Sequence, residues 1–509
     1  MQHLCGTTAI GHFLSVPFIP PAAIAAVDMA VVAIYLLVTI AVGLWVGRGQ
    51  KDLSDYLLGD RNLPWWAVLG SVVATETSTA TVLSVPGLAF AVDGDMRYLQ
   101  LALGYIVGRI LVSMLLLPQY FRGRLFTSYE VLNRRFGGPT KVIASVMFLL
   151  ARTAGDGLRL YLAAFVLSKF AGMSLPSAVL VTGAATIVYT VFGGMRSVVW
   201  NDCIQLVVYL VGAAVTLQII LGRLPGGLDG LLEFGRSTGR FRVFDFSTTL
   251  ADPYTFWAGV IGGGFLTLGT HGTDQLTVQR LLSSRSERDA SRALVLSGFV
   301  VLAQFALFLV IGVALAAYFE EFPPQRPIER NDGAFATFIV EALPVGFCGL
   351  MLAAVFAAAM STLSSSLNAS AGAAVSDLIE PQLREPSAKR LLTIGRVLTI
   401  FFGIAQIGVG LLGPRFGGSV VDNVLGIAAL PTGIILGVFG LGVLTTRVTQ
   451  PAALVGFLGG LAVVATVKIL SVMEYFALGW PWYAVVGAVS TFAIGYAASF
   501  IVSSHERQA

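Results

Sequence analysis

WWAVLGSVVATETSTATVLSVPGLAF, residues 65–90, is apolar enough to cross a bilayer except at its middle, where Thr75, Glu76, Thr77, Ser78, Thr79 and then Thr81 interrupt it. A carboxylate at mid-span is costly in hydrocarbon and persists only against a protein interior or a watery cavity. Neighbouring hydroxyls compete for backbone hydrogen bonds and weaken the helix. Carbonyls released at such a break can hold a small cation. The segment reads as a discontinuous membrane helix and is the first place to look for function.

The rest of the chain agrees. Of 509 residues, 56% are hydrophobic and only 12% charged, with a mean hydropathy of +0.81, whereas soluble domains carry about 25% charge. This is the composition of an all-α polytopic membrane protein. The net charge of +4 comes from basic residues scattered among short loops. No basic run interleaved with aromatics points to nucleic acid. Cys5, Cys203 and Cys348 are widely spaced and His3, His12, His271 and His505 form no cluster, so neither a disulfide framework nor a metal motif is visible. Residues 1–26 lack a basic n-region, which argues against a cleaved signal peptide and leaves an N-terminal extension.

About 20 apolar residues make one helical crossing. Thirteen candidate spans begin near residues 27, 64, 97, 140, 174, 200, 252, 291, 345, 391, 419, 449 and 477. Between two of them, residues 334–340 are too short to span and read as a surface helix. With the N-terminus outside, inward segments carry 18 of the 32 Lys and Arg and outward segments 10, while Arg109, Arg152, Arg159 and Arg396 fall within spans. The positive-inside rule then places the C-terminus in the cytoplasm of a plasma-membrane protein.

A second weak helix, GGGFLTLGTHGTDQ at residues 262–275, lies in the seventh span, five after the first break. An odd offset inverts the second unit relative to the first, as in inverted five-helix repeats with a site between broken helices. The alternative is that these glycines only permit close packing. The repeat reading divides residues 27–503 into a peripheral helix (27–47), repeat one (about 64–222), repeat two (about 252–443) and two further helices (about 449–503). A cytoplasmic tail, 504–509, follows.

In the ninth span Ser361, Ser364 and Ser365 share a helical face with Thr362 beside it. Hydroxyls and carbonyls suit a hard cation such as sodium. Polar packing between helices is the competing explanation.

Gly172 through Ser197, ending YTVFGGMRS, is the most specific stretch. With Asp55-Tyr56-Leu57-Leu58-Gly59 before Trp65-Trp66, and Thr273-Asp274-Gln275 before Val278-Gln279-Arg280, it resembles the sodium/solute symporter family. The likeness runs from about residue 27 to 500, nearer the sialic-acid, monocarboxylate and iodide branch than the sugar branch. It implies a LeuT-type fold of five plus five inverted helices, functional as a monomer, with one or two coupling sodium ions.

Carried over position by position, sodium site one would use the carbonyls of Ala74, Thr77 and Ala358 and the hydroxyls of Ser361 and Thr362. Site two would use Asp202, Ser361, Ser364 and Ser365, although Asp202 could instead cap a helix N-terminus. Ser78, Thr81, Gln100 and Thr267 fall at substrate-contacting positions, with Thr270 at the gate. Arg152 suits a substrate carboxylate through its planar fork, or an internal pair with Asp156 one turn away. Glu76 could hold sodium, neutralise Arg152 or receive an ammonium group.

The resulting expectation is a sodium-coupled importer of a small polar solute, a carboxylate first and a neutral sugar or amino acid second. A membrane sensor is the non-transport alternative. An enzyme is disfavoured because Ser361 to Ser366 have no visible base partner.

Overall fold

A computed structural model describes residues 26–48, 52–122, 125–325, 327–328, 330–384, 387–415 and 420–505. Almost all of the expected N-terminal extension and residues 506–509 of the expected tail lie outside these; residues 504–505 belong to the last helix. Among the described residues there is no β-strand, only an isolated bridge between Leu63 and Ser284.

The chain opens with α1 (Ala26–Val46), then α2 (Trp65–Glu76) and α3 (Thr79–Phe90), which meet at 59°. Next come α4 (Leu99–Leu115), α5 (Gly138–Ala171) and α6 (Leu175–Arg223). Within α6, Gly194 has φ 57° and ψ −163°, a backbone that a side chain would strain. The chain therefore turns at Gly194, inside the YTVFGGMRS stretch, rather than near residue 200.

The second half opens with a π-turn (Ala258–Gly262), then α7 (Gly263–Gly272) and α8 (Gln275–Leu282). It continues with α9 (Glu287–Glu321), α10 (Gly333–Ala342), α11 (Phe347–Ala373), α12 (Ala388–Leu412) and α13 (Val420–Leu444). Two more helices, α14 (Gln450–Val472) and α15 (Pro481–His505), complete it. Seven described helices are long and apolar enough to cross a bilayer, or eight if the bent α2–α3 pair is one span.

Each half thus begins with a broken helix, and each break has a local cause. At the first, the Ser78 N–H turns to the Glu76 carbonyl at 3.1 Å, which frees the Ala74 carbonyl from the helical ladder. The Ser78 hydroxyl then accepts the Thr81 N–H as a cap for α3, freeing the Thr77 carbonyl. At the second, Asp274 (φ −77°, ψ 125°) leaves the helical region and accepts the Leu276 N–H at 2.9 Å, starting α8.

Glycines set how closely the halves approach. A Cβ on Gly104 of α4 would come 2.2 Å from the Gly259 carbonyl, and one on Gly108 would come 2.7 Å from the Gly264 carbonyl. The α10 segment is a surface helix with one face sunk into the protein, Val340 being exposed. Its Ala334, Phe335, Phe338 and Ile339 are wholly buried, and Phe338 packs on Tyr318 and Phe319 of α9. The hydrophobic face simply outweighs the brevity of the element.

Candidate functional site

α11 lies along the first break, and every residue of it from Met351 to Ala373 is buried. The Thr362 hydroxyl is 3.1 Å from the Thr75 carbonyl and 3.3 Å from the Ala358 carbonyl. The released carbonyls of Ala74 and Thr77 flank Thr75 in sequence, and Ser361 precedes Thr362. Thr362 of site one therefore meets the break between the Ala74 and Thr77 positions and touches the Ala358 carbonyl, while the Ser361 hydroxyl turns to Asp202. Thr77's hydroxyl is not available there: it donates to Val73 O at 2.8 Å and accepts from Gln304 Nε2 at 2.7 Å and the Tyr209 hydroxyl at 3.1 Å. Its carbonyl is the group the break offers.

The site-two residues also gather, but around a guanidinium. Asp202 is wholly buried; its Oδ1 accepts from Ser361 Oγ at 2.6 Å and its Oδ2 from Ser71 Oγ. The fully buried Arg280 of α8 donates through Nη2 to Ser365 Oγ and lies 3.5 Å from Asp202 Oδ2, while its Nε donates to Ser71 at 2.9 Å. Asp202 sits eight residues past the Gly194 turn, so the capping alternative does not hold. Ser364 turns its hydroxyl to the Ser361 carbonyl at 3.2 Å, away from this cluster. Within the described residues no cluster of three His, Cys, Asp or Glu could hold a metal.

Beside the breaks lies a cavity of about 250 Å³. Glu76, Ser78, Thr81, Arg152, Thr267 and Thr270 all line it. Gln100 does not. Its Nε2 donates to the Tyr254 carbonyl at 2.7 Å, and its Oε1 accepts the Asp245 N–H at 3.0 Å, so its amide pins the 241–257 loop instead. That is a correction: the family resemblance placed Gln100 at a substrate-contacting position, and here its amide is taken up by the loop.

Arg152 settles neither of its two sequence readings as stated. Its Nη2 donates to Asp274 Oδ2 at 2.6 Å, across at the second break, while Asp156 is 3.8 Å away and is held more closely by Arg159. Arg159 lines the cavity too. Glu76 pairs with the wholly buried Arg109 of α4, not with Arg152, and His271 lies 3.6 Å from its Oε2. Arg109, His271, Asp274 and Arg280 also stand at the breaks, in positions to which the sequence assigned no role. One signal was present: an arginine within a span calls for a partner, and Glu76 was the unassigned charge.

Broken helices facing a hydroxyl-lined helix are an arrangement shared with known sodium-coupled transporters. The model of the Sodium:solute symporter family matches residues 56–460. The chain belongs to that family. It is 31% identical over 452 residues to the sodium/iodide cotransporter of Homo sapiens, covering 86% of this chain and 68% of that protein. It is 30% identical to the sodium/sialic acid symporter NanT of Aliivibrio fischeri, covering 91% and 90%, and 28% identical to sodium-coupled monocarboxylate transporter 1 of Xenopus laevis, covering 86% and 71%. A solved structure of a Na+-coupled sialic acid symporter, substrate-bound and outward-open, superposes with a TM-score of 0.85 at 26% identity, covering 94% of this chain and 98% of that one. The structure of MhsT with L-phenylalanine (TM-score 0.50, 17% identity, covering 89% and 99%) shares the fold. This symporter is therefore an all-α, multi-pass membrane protein of LeuT type that couples sodium to the movement of a small solute.

Proposed function

We propose that this symporter imports a small carboxylate-bearing solute by alternating access. The observation that carries the reading is Arg152, lining the cavity with its guanidinium held by a single close contact to Asp274. A guanidinium matches a carboxylate with two parallel hydrogen bonds, so an incoming acid can engage Arg152 while Asp274 keeps its bond to the α8 N-terminus. Iodide, sialic acid and monocarboxylates, the solutes in the relatives' names, are all anions or acids. A neutral sugar is the second reading, favoured by the hydroxyls of Ser78, Thr81, Thr267 and Thr270 along the same wall.

Sodium binds at Ala74, Thr77, Ala358, Ser361 and Thr362. A second sodium at Asp202, Ser361, Ser364 and Ser365 requires Arg280 to withdraw from both Asp202 and Ser365, because one carboxylate cannot compensate two cations in a dry pocket. Each sodium crossing 100 mV contributes about 2.3 kcal/mol to solute accumulation. The transporter domain spans 27–503 in thirteen passages, with helix 27–47 outside two five-helix repeats. It works as a monomer in the plasma membrane with its N-terminus outside.

Counterflow in proteoliposomes tests this, using labelled acids, sugars and amino acids with and without sodium. Sodium-dependent exchange of a carboxylate is expected. Exchange of neutral sugars alone would favour the second reading, and ligand binding without exchange would indicate a sensor.

A further inference from the structure

α1 rests on α6 through its smallest residues. A Cβ on Gly43 would come 2.8 Å from Ser197 Oγ, and one on Gly47 would come 2.4 Å from the Gly193 Cα. Small residues let two backbones close up, and the larger side chains beside them then stand apart. They leave a groove of about 750 Å³, walled by Val42, Trp45 and Val46 of α1 and by Trp200, Cys203 and Val207 of α6. No described residue of its lining is charged or carries a hydroxyl. The most apolar stretches of α1 and α6 are only 22% and 33% buried, so the groove opens on hydrocarbon. No described residue of α1 lines the solute cavity, and the two hollows are separate.

The walls are fixed before anything enters. The Trp200 ring packs edge-on against Trp66 of α2 with centroids 5.3 Å apart, and the Cys203 thiol lies 3.5 Å from the Ala67 carbonyl of α2. Trp45 and Trp66 are exposed, and Arg48, exposed as well, lies just past the end of α1. Tryptophan gathers where hydrocarbon meets the headgroups. Trp45 and Trp200 therefore mark the polar mouth of the groove, and Val42 and Val207 lie one to two helical turns deeper.

We infer that this groove holds one acyl chain of an anionic phospholipid whose headgroup lies against Arg48. A convex helix touches a lipid tail along one side. A groove touches it along several, and each added methylene gains dispersion contacts. Because the walls are already ordered, only the chain loses freedom on entering. At the mouth, a basic side chain beside the membrane attracts an anionic headgroup, and the planar fork of arginine matches its phosphate.

Photolabelling of the full-length protein in proteoliposomes tests this, with phosphatidylglycerol or phosphatidylcholine carrying a diazirine along one acyl chain and adducts mapped by peptide mass spectrometry. Adducts on residues 42–46 and 200–208 should exceed those on the open face of α14, at Leu458, Leu461 and Ile469. The glycerol lipid should label the groove about fivefold more than the choline lipid, the weight of one basic residue near an anionic headgroup. Val207→Trp should remove the groove adducts and spare those on α14, and Val46→Trp should do the same from the other wall. Arg48→Gln should bring the two lipids level. Labelling of the groove no stronger than that of α14 means bulk lipid only and overturns the inference, as do groove adducts that survive both tryptophan variants. Equal labelling by the two lipids in the unaltered protein overturns the anionic headgroup. A groove shielded from both lipids, with Val42→Cys forming a disulfide between two copies, makes a second copy the occupant and overturns the lipid.

Discussion

Asp202 and Arg280 are buried together on α6 and α8, and each compensates the other's charge. Asp202→Asn or Arg280→Met alone should lower unfolding stability by about 3–5 kcal/mol, and the double substitution should recover most of it. The same Asp202→Asn protein tests site two: a lower sodium-to-solute ratio is expected, and an unchanged ratio removes the site. Ser361→Ala with Thr362→Ala should abolish sodium stimulation of uptake in a folded protein, since the Thr362 hydroxyl meets the Thr75 carbonyl at the first break and the neighbouring Ser361 hydroxyl meets the Asp202 carboxylate. Unaltered sodium dependence in that variant would sink site one. For Arg152, a lysine keeps a cation opposite Asp274 but loses the two-pronged geometry. Arg152→Lys should therefore weaken carboxylate binding by tenfold or more, roughly one lost charge-assisted hydrogen bond, with little change in melting temperature.

At the scale of elements, α4 and the α7 segment touch backbone to backbone. Gly104→Ala places a methyl 2.2 Å from the Gly259 carbonyl, so the helices must separate. A loss of about 1–3 kcal/mol is expected, as for other overpacked contacts, measured by thermal unfolding. A matched substitution at Gly155, where a Cβ meets nothing within 4 Å, should be silent at this contact. The 241–257 loop is pinned differently, by ions. Asp245 accepts the Ser247 N–H and pairs with Arg242 and Arg97, which together hold its carboxyl below the usual carboxylate range. A depressed carboxylate stabilises above its unfolded value of about 3.9 and stops doing so as pH falls through its folded one. Hydrogen-exchange protection factors across residues 241–257, taken relative to the intrinsic rate at each pH, should accordingly be unchanged from pH 7 to 5 and fall below about pH 4.

For the whole molecule, the basic-residue asymmetry makes a claim about sidedness. In intact cells, a cysteine introduced at Ser237 should react with an impermeant thiol reagent, while one at Arg285 should react only after permeabilisation; the opposite pattern inverts the topology. Both positions are exposed and lie at opposite ends of the intervening broken helix.

The broken helices were legible in the chain because their causes are local. A run of hydroxyls around Glu76, and glycines followed by Asp274, weaken a helix wherever it sits. Hydropathy, loop charge and the hydroxyl face of residues 361–365 were legible for the same reason: each is a property of neighbours in sequence. Pairings between distant segments were not. Which acid answers Arg152, which arginine answers Glu76, that Gln100 serves a loop and that Arg280 stands beside Asp202 are contacts spanning 33 to 154 residues. In a low-dielectric interior every buried charge must find a partner, but sequence shows only that one is needed. The packing of α4, α6, α7 and α8 around the two breaks decided which.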